Sequence, residues 1–280
     1  VKRILLPIDF SDNAWNAIFT ALKMYSKSAC HFILLHTYEP KQANISGFKS
    51  SGRAGMVYDA LEEESKKELE RTLDEIRKFS GGGEFTFTNI SKEGDLASVI
   101  EKLVPEYDLD MVVMGTKGAT GAKQVFMGSN TVKVIKKIRN CPVLAVPQKF
   151  NFQTLKKIVF PTEYAHFFSK GELGSLLELA ELWQSRILVF HVAQEFQLSE
   201  QQMTNKEVLK ERLGKFDHTF HKVTISTTVA DAITEFALDQ KADMIGLVHY
   251  THTFMEKLTQ EPVVKRVGFH SKVPLLVLPE

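Results

Sequence analysis

The sequence predicts an α/β fold built twice over, as two tandem, doubly wound domains, each a five-stranded parallel sheet with helices on both faces. Three observations point there. Short apolar runs alternate with amphipathic stretches of helical period along the chain. The two halves open alike, as Lys2-Arg3-Ile4-Leu5-Leu6-Pro7-Ile8-Asp9 and Lys157-Ile158-Val159-Phe160-Pro161-Thr162-Glu163. They also close alike, as Cys141-Pro142-Val143-Leu144-Ala145-Val146-Pro147 and Val273-Pro274-Leu275-Leu276-Val277-Leu278-Pro279. The expected division is 1–148 for the first domain, 149–155 for a linker and 156–280 for the second.

Arg3–Ile8 suits a strand buried on both faces. Ser11 or Asp12 can cap a helix whose apolar face is Ala14, Ala17, Ile18, Ala21, Leu22 and Tyr25. His31–His36 is the next strand, and Glu39–Met56, rich in Gly, Ser and Lys, reads as a long loop. Asp59–Phe79 is helical, with Leu61, Leu69, Leu73 and Ile76 on one face and paired charges on the other. Phe85–Ile90 alternates as a strand, Asp95 can cap a helix over Leu96–Leu103, and Asp110–Met114 is a further buried strand. Thr131–Ile138 is a helix and Val143–Val146 the last strand of this half.

The second half repeats the order. Its strands are Lys157–Phe160, Arg186–His191, His221–Thr227, Asp243–Val248 and Leu275–Leu278. Its helices fall near Gly171–Trp183, Asn205–Phe216, Asp231–Leu238 and Pro262–Phe269.

Composition narrows the function classes. At 280 residues, 44% hydrophobic and 25% charged, the chain has room for two ordinary domains and the balance of a globular protein. A net charge of +1 gives no bulk electrostatic reason to expect nucleic acid. No apolar run approaches membrane-spanning length and no signal-peptide pattern opens the sequence, so neither a nucleic-acid nor a membrane partner is expected. Cys30 and Cys141 stand in or beside apolar runs and read as reduced, buried thiols of a cytoplasmic protein.

One pattern occurs in the first half alone: Gly115-x2-Gly118-x9-Gly128-Ser129, following Met111–Met114. In a doubly wound sheet, ligands sit beyond the carboxyl ends of the strands where strand order reverses. Gly115 and Gly118 lie just past such an end, where bare backbone can approach a ligand. Gly128-Ser129 stands at the start of a helix, whose N–H groups and dipole favour an anion such as phosphate. Lys117 and Lys123 can add positive charge, and Thr116, Thr120 and Ser129 can offer hydroxyls to phosphate or to phosphate-bound magnesium. The competing reading makes the glycines turn formers, with Ser129 or Asn130 as a simple helix cap. Neither the dinucleotide fingerprint nor the P-loop signature is present.

Pro7-x-Asp9-x-Ser11, Leu34-Leu35-His36, Met114-Gly115-x2-Gly118-x9-Gly128-Ser129 and Cys141-Pro142-Val143-Leu144 together resemble the universal stress proteins, in their ATP-binding branch. The resemblance spans the chain as a tandem pair and is looser in the second copy. It implies Rossmann-like domains of the adenine nucleotide alpha hydrolase type and ATP, ADP or AMP as ligand, with or without Mg2+. By the same resemblance, Pro7, Ile8 and Asp9 line the adenosine pocket, and Thr37 bonds adenine through its backbone. Met114, Gly115, Thr116 and Gly118 hold the ribose and α-phosphate region, and Gly128, Ser129 and Asn130 the outer phosphates. Asn130 departs from the small apolar residue usual at its position. Asp9 also has a plainer reading, as a carboxylate bracing its own loop. The family pairs its domains through their last strands, so a tandem chain can supply that pair internally, with a homodimer of the whole chain left open.

The second copy lacks this equipment. Glu163 stands where Asp9 stands, Ala165 replaces Ser11, and His249-Tyr250-Thr251-His252-Thr253-Phe254-Met255 follows the fourth strand with no glycine until Gly268. This copy is not expected to bind ATP in the family's manner. His249-x2-His252 and His218-x2-His221, with His270, offer imidazoles, but zinc needs three or four converging ligands, and surface histidines are the plainer reading. His36 and His191 are expected to be structural. No metal centre, committed nucleophile or general base is visible. The expected function is a nucleotide-binding regulatory module in stress response, with a nucleotide-independent interaction scaffold and a weak ATPase as alternatives.

Overall fold

The computed structural model describes residues 1–39, 51–79, 83–116, 127–193, 197–224, 228–248 and 272–279. Its first half runs β1 (Lys2–Pro7), α1 (Asp12–Met24), β2 (Cys30–Tyr38), α2 (Ser51–Phe79), β3 (Phe85–Glu93), α3 (Leu96–Tyr107), β4 (Met111–Gly115), α4 (Ser129–Lys137) and β5 (Val143–Val146). The second half runs β6 (Lys157–Thr162), α5 (Lys170–Trp183), β7 (Arg186–Ala193), α6 (Glu200–Leu213), β8 (His218–Thr224), α7 (Val229–Asp239), β9 (Met244–Val248) and β10 (Leu275–Leu278). The helix expected over 262–269 lies outside the described residues.

All ten strands join one sheet in the order β3-β2-β1-β4-β5-β10-β9-β6-β7-β8. Each half thus repeats one parallel order around a central strand, β1 or β6. The seam is antiparallel: Leu275 faces Ala145, Leu276 faces Leu144 and Val277 faces Val143. The two five-stranded halves are thus continuous as one sheet.

Side chains alternate across the strands into two cores. Ile4 and Leu6 of β1 join α1, α2, α5 and α6 on one face, while Leu5 joins α3, α4 and α7 on the other. The strands are buried on both faces, which is why they read as continuous apolar runs. Ser11 caps α1 by accepting from the Ala14 N–H, and the whole expected apolar face from Ala14 to Tyr25 is buried. Asp95 caps α3 by accepting from the Ser98 N–H.

Two helices start five or more residues earlier than expected. α2 begins at Ser51, inside the stretch read as a loop, whose residues 40–50 lie outside the described residues. Glycine is a weak helix breaker when a long amphipathic helix continues past it. α6 begins at Glu200 because Ser199 and Gln202 form a reciprocal capping box.

The halves also touch beyond the seam. Lys2 Nζ lies 3.2 Å from Asp110 and 2.7 Å from Glu178 of α5. Burial pulls the Lys2 ammonium down, but these two carboxylates outweigh it and raise its pKa. Trp183 Nε1 donates to the Met24 carbonyl at 2.9 Å, and the Phe152 ring meets Trp183 edge-on at 5.1 Å. Cys30 and Cys141 are free, buried thiols, pushed by burial up to about 11 and about 12. Thiols that resist ionisation are inert.

Candidate functional site

Strand order reverses between β1 and β4, and the carboxyl ends of these strands open the crevice where an α/β sheet holds its ligand. Pro7, Ile8 and Asp9 leave β1 on one side, and Met114, Gly115 and Thr116 leave β4 on the other. Ile8 donates its N–H to the Leu35 carbonyl at 2.8 Å, so Leu35 faces β1. Two residues on, by the alternation of a strand, Thr37 aims its N–H and C=O the same way, at a level where β1 has already ended. The Thr37 backbone therefore meets the crevice.

Asp9 is exposed at the mouth, and its Oδ1 accepts from the Ser11 N–H at 3.2 Å and the Ser11 Oγ at 2.6 Å. The carboxylate braces the entry to α1, which is the plainer of the two sequence readings, and it does so from a position beside the crevice.

Gly115 has a packing reason to be glycine. A Cβ there would lie 2.7 Å from Asn13 Cγ and 2.9 Å from the Asn13 carbonyl oxygen. Buried Asn13 donates from Nδ2 to the Val146 carbonyl at 3.1 Å, tying α1 to the end of β5. Met114 and Thr116 are themselves buried, and the Thr116 N–H donates to Val146 at 3.0 Å.

Segment 117–126, which carries Gly118, Lys117, Thr120 and Lys123, lies outside the described residues. The residues on either side of it meet, since the Gly128 N–H donates to the Thr116 carbonyl at 2.6 Å. Gly128 is the N-cap of α4, with no side-chain cap bond. The cap is therefore neither Ser129 nor Asn130, the two residues the plainer reading offered. Both lie exposed in the first turn, where α-helical N–H groups have no partner in their own helix. Thr131 Oγ1 donates to the Gly115 carbonyl at 2.8 Å and clamps this helix start against the end of β4. The first turn of α4 thus stands against the end of β4, with N–H donors of the kind that suit an anion.

Beside it, Phe10 takes φ 60° and packs its ring 4.6 Å from His36. His36 Nδ1 lies 2.7 Å from Ser65 Oγ, which also accepts from Ser91 Oγ at 2.6 Å. Burial holds the imidazole below its ordinary value of 6.5, against the pull of Asp9 and Glu64. The second half repeats the pair: Tyr164, at φ 56°, stacks on His191 at 4.8 Å. Positive φ at an aromatic residue is uncommon, and nothing in the residue types announced it.

At the matching strand ends of the second half the described residues leave little space. Thr162, Glu163, His166, Phe168 and Val248 line a cavity of about 20 Å3, room for a water and little more. His218 and His221 do not converge either, since an offset of three along β8 puts them on opposite faces. His218 Nδ1 lies 2.9 Å from the Phe216 carbonyl, and His221 Nε2 lies 2.8 Å from Thr219 Oγ1. His249, His252 and His270 lie outside the described residues. Among the described residues, no helix is long and apolar enough to cross a membrane.

Fold and crevice together define a doubly wound α/β protein with a switch-point crevice in its first half. The model of the universal stress protein family matches residues 1–147, and the chain belongs to that family. It is 30% identical over 160 residues to Universal stress protein MJ0577 of Methanocaldococcus jannaschii, covering 53% of this chain and 96% of that protein. It is 26% identical over 151 residues to Universal stress protein YxiE of Bacillus subtilis, covering 52% and 98%. A universal stress protein from Archaeoglobus fulgidus superposes with a TM-score of 0.69 at 17% identity, over 99% of this chain and 96% of that one.

Proposed function

We propose that this universal stress protein binds one adenine nucleotide, ATP or its ADP or AMP products, in the crevice of residues 1–148 and serves as a regulatory module in the cytoplasm. The observation that carries the reading is the first turn of α4, capped by Gly128 without a side chain and clamped by Thr131 to the end of β4. Phosphates seat on that turn, Ser129 and Asn130 adding side-chain partners, and adenine reaches the Thr37 backbone across the crevice. Pro7, Ile8, Asp9, Met114, Gly115, Thr116 and Gly118 complete the lining. A bound Mg2+ would take the outer phosphates together with the Ser129 hydroxyl. Residues 156–280, joined by the linker 149–155, act as the built-in partner of the first domain, with β10 on β5.

Titration calorimetry on nucleotide-stripped protein tests this. ATP with Mg2+ should bind at one site per chain, and Gly128→Glu, which sets a carboxylate at the anion-binding turn, should abolish binding. Stripped protein that takes up no adenine nucleotide would falsify the reading.

A further inference from the structure

The two aromatic–histidine pairs occupy equivalent places, and their surroundings differ. In the first half His36 faces Ser91 across the β2–β3 pairing, and the chain His36–Ser65–Ser91 closes the space with small hydroxyls. In the second half Lys222 stands opposite His191 in the β7–β8 pairing, in the place of Ser91. Here the space is a cavity of about 240 Å3.

Phe220 and Leu198 give it apolar walls, and buried Tyr164, stacked on His191 at an interplanar angle of 17°, backs it. Two lysines complete the lining. Lys206 Nζ lies 6.0 Å from the Tyr164 ring centre and 5.7 Å from that of Phe220, and Lys222 projects from β8.

The walls are also fixed in place. Asn205, beside Lys206 on α6, is buried and donates to the Tyr164 carbonyl at 2.8 Å. Gln202 donates to the Glu163 carbonyl at 2.9 Å, pinning the first turn of the same helix. A preformed apolar slot with a few placed polar groups is what small-molecule sites look like, and this one falls below the usual ~300–1,000 Å3.

We infer that the second half carries its own ligand site, between β7, β8 and α6, for a compact aromatic carboxylate. The ring lies against Phe220 and Leu198, and the carboxylate takes the ammonium groups of Lys206 and Lys222. This site does not depend on the nucleotide reading of the first half.

Titration calorimetry of the full chain with 2-naphthoate tests it, with 2-naphthalenemethanol as the uncharged analogue. One naphthoate should bind per chain. Lys206→Met and Lys222→Met should each weaken it by about tenfold or more, the loss of one charge-assisted contact. Both keep an apolar stem and lie at the cavity's edge, and thermal melts check that they fold. The alcohol should bind at least as weakly, and Gly128→Glu should leave naphthoate binding unchanged. Absent or unsaturable binding overturns the inference, as does equal affinity for the alcohol or indifference to both lysine substitutions. Loss of binding in Gly128→Glu also overturns it, because the ligand would then sit in the first half's crevice.

Discussion

Asn13 and Gly115 show why a glycine pattern mixes two messages. Spacing marks both glycines as sites of bare backbone, yet Gly115 answers to Asn13 and Gly128 to the exposed turn of α4. Asn13 is, with Thr20, one of two polar residues buried on α1, and its contact with β4 depends on how α1 docks, which no local pattern encodes. Gly115→Ala should therefore destabilise the protein by about 1–3 kcal/mol without any nucleotide present, the cost of overpacking a fixed contact. Urea unfolding of the nucleotide-free variant measures this, and an unchanged midpoint would contradict it. His36 carries a pH signature. Its folded pKa lies below 6.5 through burial, so the neutral ring is favoured by folding. That contribution is complete above the ordinary imidazole value and is lost as pH falls through it toward the lower folded value. Wild-type stability should drop over that window, and His36→Gln should flatten the drop. Parallel denaturation series across pH decide the matter.

At the scale of elements, the strands were legible because burial on both faces leaves unbroken apolar runs, and β1, β4, β5 and β10 fall within a residue or two of expectation. The caps Ser11 and Asp95 were legible too, since their side chains act on the next three residues. Less so was the start of α6, because Glu200–Lys206 offers Met203 as its one apolar residue and the signal sits in the Ser199–Gln202 box instead. β2 and β3 run past their expected ends at His36 and Ile90, held by each other's backbone rather than by apolar side chains. Asp95 gives the element-scale test. The Ser98 backbone N–H bond holds its carboxyl below the ordinary carboxylate value, so its contribution is complete above that value and fades as pH falls through the lowered one. Asp95→Ala should cost about 1 kcal/mol at neutral pH, an ordinary cap loss, and less in acid. Asp95→Asn, which keeps an acceptor, should recover much of the loss.

At the scale of the whole molecule, the repeat announced two similar halves, and how they meet was expected only from the family resemblance, through their last strands. The order β5-β10 joins them edge to edge, so neither half leaves its last strand as an unpaired template. Leu144 and Leu276, opposite each other in the seam, are fully buried in one core with residues of both halves. Lys2 with Glu178 and Trp183 with Met24 add polar ties across the same boundary. Such coupling should make the halves one folding unit. Calorimetry of the full chain should give a single transition whose calorimetric and van't Hoff enthalpies agree. Leu276→Asp places a carboxylate with no apolar alternative against Leu144. It should destabilise the chain by several kcal/mol and separate the melt into two transitions, because the first half keeps its own core of β1–β5. Two transitions already present in the wild type would mean that the seam joins backbones without coupling the folds.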